Sequence, residues 1–397
     1  MSGDLEGRDC AWVIEGGEIL TPGGLVGGED LGLADGRIAG LGTSPVGARH
    51  FDAAGFLVLP GIVDLHGDAF ERQRMPRPGV TFPWRLALAD TDRQLLSNGV
   101  TTAFHGLTWS WEPGLRGSEA ARGFARALEG IKSDLACDTR LHLRFETHNL
   151  EAVAEAEEWI KAGRVDLLAF NDHTEYTNKA SKYPHRAKTL IERTGLTLEQ
   201  YLEKLNEIMG RREEVPKACA RLARAAQGRT AMASHDDETP AMRDFYRGLG
   251  CALAEFPTNR ETAQAAILAG DAVIMGSPNV VRGGSHFKSG LDAAQAASEG
   301  LCTVLASDYY YPAMLQAPFI LVDKGLLPLD KAWDLVSANP ARAAGLMDRG
   351  RLEPGRRADL IVVERVAGQA EVRAVFSAGR LVLAGAQAMA RIRALGC

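Results

Sequence analysis

Two hydrophobic periodicities divide the chain. From Trp12 to Leu59, short β-like pieces (AWVIEGGEIL, EDLGLADGRIAGLG, FDAAGFLVLP) are separated by Gly-rich turns, and the Asp35-Gly36 step is a strong hairpin signal. A small β unit is expected there. The pattern then becomes short apolar runs that read as strands: LVLPGIVDL, GVTTAFH, TRLHLRF, VDLLAFN, TAMAS, CALAEF, AVIMG and CTVLAS. Between most of them lie stretches such as EAARGFARALEGI, LEAVAEAEEWIKAG, REEVPKACARLARAAQ, ETAQAAILAG and LDAAQAASEG, whose apolar positions recur at the three- and four-residue spacing of a helix. Strands alternating with helices argue for βα units around a parallel sheet, and eight of them predict an α/β fold of the (β/α)8 TIM-barrel type.

After Arg351 the β character returns in RADLIVVE and VRAVFSAGRLVLAG. The expected organisation is a barrel over residues 59–349 beside a small, discontinuous β-sandwich built from residues 1–58 and 350–397. The stretch from His173 to Glu199 is the longest excursion between strands, and long loops in compact domains tend to be functional.

Composition narrows the function classes. With 45 Lys and Arg against 51 Asp and Glu, the net charge is -6, so no global basic field is available to hold nucleic acid. The acidic start, MSGDLEGRDCAWVIEGG, lacks the basic and apolar regions of a signal peptide, and no apolar run approaches the ~18 residues of a transmembrane helix. A cytoplasmic protein without a membrane partner is expected; self-association is left open. The cysteines, Cys10, Cys137, Cys219, Cys251, Cys302 and Cys397, form no CxxC pair and read as small buried hydrophobes.

Ligand-type side chains collect at the carboxyl ends of the candidate strands, the face on which barrel enzymes build their sites. His66 and Asp68 are two apart in PGIVDLHGDAFE and so share a face; Glu146 ends RLHLRFE, His173 follows VDLLAFND, His235 ends TAMASH and Asp308 ends CTVLASD. Three imidazoles and three carboxylates without a thiolate suit Zn, Mn or Fe, with Zn the leading choice, and can hold one or two divalent ions with Glu146 long enough to bridge. The rival reading is a set of buried, hydrogen-bonded polar residues, which would be costly to bury together without a cation. Arg282, Gly283, Gly284, His286 and Lys288 in VVRGGSHFK supply donors for a phosphate between the seventh and eighth strands. Asp236 and Asp237 read either as a second layer orienting ligands, or binding a leaving group's cation, or as a solvated loop. Trp109 and Trp111 read as loop packing ahead of a stacking surface for a sugar or ring, His105 as a packed, hydrogen-bonded histidine ahead of a pocket residue, and His50, His142, His148 and His185 as structural.

PGIVDLHGD, GVTT and NPARAAGLMDRGRLEPGRRADLIVVE resemble the amidohydrolase superfamily, whose members join a metal-bearing barrel to a flanking β-sandwich. RPGVTFPW, HLRFE, ASHDDET, AEFPT, MGSPNVVRGGSH and ASDYYYPAML further resemble the alpha-D-ribose 1-methylphosphonate 5-triphosphate diphosphatase family of phosphonate metabolism. The resemblance implies that His66, Asp68, Glu146, His173, His235 and Asp308 are metal ligands or their immediate partners. It also implies that water activated at the cation attacks a phosphorus of a small phosphorylated substrate, with Asp308 as the catalytic proton acceptor and diphosphate as the leaving group. Where that family has a Pro-Gly-Gln segment after its Asp-His step, this chain has NDHTEYTNKASKYPHR, in which Lys179, Lys182, His185 and Arg186 read as replacement phosphate contacts or a solvated basic loop. Two alternatives share the scaffold: cleavage of a C–N bond, as by a deacetylase or cyclic amidase, and a catalytically silent binding protein.

Overall fold

The computed structural model describes residues 11–174, 184–284 and 290–393, without the side chains of 184–186. Eight strands, Ile62–Gly67, Val100–Trp109, Asp138–Glu146, Leu167–Asn171, Ala231–His235, Leu253–Glu255, Ala272–Gly276 and Val304–Ala306, lie side by side in chain order. All seven neighbouring pairs are parallel. The two ends of the sheet meet at a parallel bridge between Gly67 and Asp308, which turns it into a TIM-type barrel.

Side chains alternate across each strand. Val63, Leu65, Phe104, Leu167, Ala169, Ala233, Leu253, Ile274, Val304 and Ala306 form one buried cluster that fills the barrel interior. Leu141, Leu143 and Phe145 belong instead to the layer under the surrounding helices. By the same alternation His142, Arg144 and Glu146 point inward, and so do Asn171, His235, Glu255 and Asp308, each two residues beyond an apolar interior position. An apolar plug thus gives way to a polar layer at the carboxyl end of the strands.

The expected strand LVLPGIVDL is two strands. Leu57–Pro60 belongs to a six-stranded sheet, Ile62–Gly67 opens the barrel, and Gly61 separates them. A Cβ at Gly61 would stand 2.2 Å from Thr101 Oγ1, so only glycine lets the chain pass between the two sheets. The six-stranded sheet and a five-stranded one, each drawing strands from both terminal regions, share a core containing Trp12, Ile14, Phe51, Val58, Leu360, Val362 and Phe376. Ile361 and Val363 of the same strand pack toward the barrel. Burial of both faces explains why LIVV is continuously apolar.

The excursion after the fourth strand is helical where it is described. Helices Pro184–Thr194, Leu198–Met209 and Val215–Ala226 fill it, the second started by a capping box between Thr197 and Gln200. Trp111 packs on Tyr201 and Trp109 on Trp159, so both tryptophans hold loops and helices in place. No helix among the described residues is long and apolar enough to cross a membrane.

The barrel's seam depends on Asp64. Its carboxylate accepts Ser307 N–H at 3.0 Å and Ser307 Oγ at 2.6 Å, while Asp308 N–H donates to His66 O at 2.8 Å and Asp68 N–H to Asp308 O at 3.0 Å. Asp64 is fully buried, and burial raises its pKa. Replacing Asp64 with Asn turns an amide donor toward Ser307, whose donors are then left short of an acceptor. The expected cost is about 1–3 kcal/mol, read from guanidinium unfolding at neutral pH; unchanged stability would show that the carboxylate does not hold the seam.

Candidate metal centre at the barrel mouth

Three groups of potential ligands come together among the described residues, each with donor atoms within 4.8 Å of one another: His173, His235 and Asp236; His66, Asp68 and Asp308; and His66, His142 and Glu255. Their imidazoles are contiguous, with ring centroids 5.0 Å apart for His66 and His142, 5.3 Å for His66 and His235, and 5.4 Å for His173 and His235. Five of the six expected ligands therefore lie in candidate groups.

Glu146, the sixth, stands one step behind. Its Oε1 is 2.5 Å from His173 Nδ1, and its Oε2 accepts His173 N–H at 3.3 Å. This leaves Nε2 of His173 turned toward Asp236 Oδ2 at 3.5 Å, while His235 Nδ1 lies 3.2 Å from the same oxygen. A carboxylate fixing the ring whose other nitrogen faces the site is the usual support of a metal-binding histidine. Burial works against charge on His173, but Glu146 and Asp236 outweigh it and raise its pKa to about 9; burial would likewise raise Glu146 and Asp236, and the adjacent imidazoles bring both down instead.

In the second group Asp308 is pushed up to about 7, by burial first and by the Asp68 carboxylate second. Burial raises Asp68 as well, against the pull of Arg144, whose Nη1 donates to Asp68 Oδ2 at 2.9 Å and whose Nη2 donates to His235 Nε2 at 3.2 Å. Arg144 is thus a permanent cation between two ligand-type residues. Gly106 makes room for it, since a Cβ there would meet Arg144 Cδ at 3.1 Å.

The chemistry of these donors fits a divalent cation. Both ring nitrogens of His66, Nδ1 of His235, Nε2 of His142 and both oxygens of Glu255 are buried without a hydrogen-bond partner. Burial lowers His66 well below the usual histidine range and His142 to about 3, so these rings offer lone pairs. Nitrogen and oxygen donors of this kind suit first-row transition ions. A cavity of about 980 Å³ opens beside the mouth, between Trp84, Trp111, His148 and Arg193, with none of the candidate ligands on its wall.

Other expectations change in detail. Val280 to Arg282 are helical, and the N–H groups of Gly283 and Gly284 bond Val280 O and Asn279 O, capping that helix, so they are not free donors to a phosphate. Arg282 keeps its side chain at the mouth, donating to Tyr309 OH at 3.4 Å, next to Asp308; Arg72, which went unnoticed in the sequence, donates to Tyr309 O. His286 and Lys288, like Lys179, Lys182, Cys10 and Cys397, lie outside the described residues. Asp237 faces away from the mouth, into a buried network with Ser234 and Arg243. His105 sits outside the barrel wall among Phe70 and Phe124 with its Nδ1 unpartnered, so it is packed but lacks the hydrogen bond expected at that atom. His142, expected to be structural, stands in the third group, as does Glu255, which was not singled out in the sequence. A signal existed for both. His142 shares the inward parity of Glu146, and Glu255 is the one charged residue ending CALAE.

A model of the Amidohydrolase family matches residues 167–382. Alpha-D-ribose 1-methylphosphonate 5-triphosphate diphosphatase of Escherichia coli (strain K12) is 31% identical over 83% of this chain and 89% of its own length. Adenine deaminase of Brucella suis biovar 1 (strain 1330) is 26% identical over 93% of this chain, which spans only 56% of that protein. A solved amidohydrolase from an environmental sample of the Sargasso Sea superposes with a TM-score of 0.63 at 16% identity, covering 94% of this chain and 93% of its own, a likeness of fold.

The His173–Glu146 pair has a pH signature in protein stripped of metal. A pKa raised from 6.5 to about 9 contributes stability that is complete below pH 6.5 and is lost as pH rises through 9. Glu146, lowered from 4.5, keeps its part of the pair above that value. The stability gap between the unsubstituted protein and Glu146→Gln, from denaturant unfolding, should be widest near pH 6 and close toward pH 10. A gap independent of pH would mean that the pair carries no charge.

Proposed function

Because this chain belongs to the amidohydrolase family, we propose that it is a metal-dependent hydrolase that cleaves a phosphoanhydride of a phosphorylated ribose phosphonate and releases diphosphate. Sequence similarity to the Escherichia coli diphosphatase over most of both chains supports the substrate class. The observation that carries it is the rim beside Asp308, where Arg282 and Arg72 both bond to Tyr309. Guanidinium groups at that position offer paired N–H donors to phosphate oxygens.

When bound, a divalent cation supplies Lewis acidity and lowers the pKa of water to near ~7. His173, His235 and Asp236 form one group that would hold such an ion, and His66 and Asp68, with Asp308 beside them, a second; Zn, Mn and Fe all suit their donor atoms. Asp308 does the proton work. Its carboxylate takes a proton from the water whose oxygen attacks phosphorus, and returns it to the diphosphate oxygen as the old P–O bond breaks. Arg282 and Arg72 hold the non-bridging oxygens of the phosphates that do not react.

Cleavage of a C–N bond is the second reading, favoured by the match to adenine deaminases. Incubation with ribose 1-methylphosphonate 5-triphosphate should release diphosphate, whereas the second reading expects ammonia from adenine or an amine from an amide. Asp308→Asn should keep its bound metal and lose at least ~10²-fold in turnover. Arg282→Ala should raise KM for the triphosphate. Release of ammonia or amine without diphosphate would reject the proposal, and full activity of Asp308→Asn would reject its assigned role.

A further inference from the structure

The cavity of about 980 Å³ beside the mouth has no part in the steps assigned so far. Its size is at the upper end of the ~300–1,000 Å³ common for small-molecule sites. Its wall includes the loops 110–115 and 148–151, which follow the second and third barrel strands, so it opens on the carboxyl face of the barrel, where substrates are received. Trp111, packed on Tyr201, keeps part of its surface exposed on this wall.

Charge distinguishes one residue of the wall. Arg193 is neutralised by Glu112 at 2.8 Å and Arg211 by Glu214 at 2.8 Å. Arg74 and Lys204 have no ion pair among the described residues. Lys204 is a flexible, strongly hydrated ammonium, whereas the guanidinium of Arg74 is fixed in place. It lies 4.9 Å from the centre of the Trp84 ring, and its Nη1 donates to Phe82 O, while Phe82 N–H donates back to Arg74 O at 2.9 Å. Nε and Nη2 are left without a partner among the described residues. Partial burial pulls the pKa of Arg74 down, and no carboxylate offsets it. A held cation with free N–H groups on a cavity wall calls for an anion from outside the chain.

The same short helix links this cation to the mouth. Phe70–Arg74 carries Arg72, which bonds Tyr309 O beside Asp308, and two residues later Arg74, which lines the cavity. A guanidinium therefore stands at each end of a path from the rim into the cavity.

We propose that Arg74 is a specificity-determining residue, binding a second anionic group at the end of the substrate that does not react, with the sugar lying along the cavity. The proposal rests on the reading of the chain as a phosphoanhydride hydrolase, and it narrows the substrate class to a sugar with an anion at both ends. The polyphosphate lies at Arg282 and Arg72, and a phosphonate or phosphate lies at Arg74, whose planar fork matches its oxygens.

The test compares two substrates of the metal-loaded full chain, ribose 1-methylphosphonate 5-triphosphate and ribose 5-triphosphate, which lacks the second anion. Arg74→Met should raise KM for the first by about 10-fold or more at unchanged kcat, and leave KM for the second as it was. Arg74→Lys should recover part of the loss. An equal rise for both substrates would make Arg74 a support of the fold or the rim and overturn the proposal, as would a rise produced by Lys204→Met and not by Arg74→Met. If neither substrate releases diphosphate, the proposed function fails by itself, and calorimetric titration with ribose 1-methylphosphonate 5-phosphate decides this inference separately. Binding weakened about 10-fold in Arg74→Met supports it, and equal affinity in both proteins, or none, rejects it.

Discussion

The seam between the first and last barrel strands is the constraint on which the candidate site depends. A parallel barrel closes only if its terminal strands pair, and here pairing is carried by Asp64 on Ser307 and by the backbone links among His66, Asp68 and Asp308. Those same links set the spacing of three ligand-type residues. His66 and Asp68 come from one end of the sheet and Asp308 from the other, far apart in sequence, and the bridge at Gly67 brings them into one group. Closing the barrel and assembling this group are a single event. Gly67 also has no room for a side chain, since a Cβ would stand 2.8 Å from an Asp64 oxygen and 2.9 Å from Ser307 Oγ.

Charge balance inside the mouth is the next constraint. Asp68, Glu146, Asp236, Glu255 and Asp308 crowd around four imidazoles, and Arg144 is the fixed cation that answers Asp68. Repulsion between Asp68 and Asp308 adds to burial in raising Asp308, the pattern of two carboxylates sharing a site short of positive charge. Further positive charge stands at the rim, on Arg282 and Arg72, which bond to Tyr309 and not to these acids.

Much of this was legible in the sequence. Strand and helix periods gave the barrel, because the two repeat lengths differ enough to be separated by eye, and polar residues at the ends of apolar strands gave five members of the candidate groups. What was missed has physical reasons. His142 sits four residues before the end of its strand, so a rule based on strand ends passes it over; only parity with Glu146 shows that it faces inward. Asp237, two residues past His235, looks like part of the mouth, and only the fold shows that Arg243 draws it into the wall. The glycines of VVRGGSH suggest free N–H groups, yet a helix ends there and its carbonyls claim them. Local composition reports where backbone can bend, while partners come from tertiary structure.

The turns at the strand ends could not have been read from residue type at all. Asp236, Phe256 and Asp308 adopt left-handed backbone angles, with φ of 58°, 53° and 54°, and none is glycine. Such residues cost of order ~1–3 kcal/mol each and persist only where the surroundings over-determine them. The same device does so three times. Asp236 N–H bonds Glu255 O on the next strand, Phe256 N–H bonds Ile274 O on the next, and Asp308 N–H bonds His66 O across the seam. Each N–H continues the sheet ladder one residue past the strand's end while the chain turns away above it. Sheet pairing thereby offsets the strain, and the turn leaves Asp236 and Asp308 in ligand groups, with the Phe256 ring edge-on to His66 and His235. The backbone conformation that the residue types disfavour is the one that delivers two of the candidate ligands.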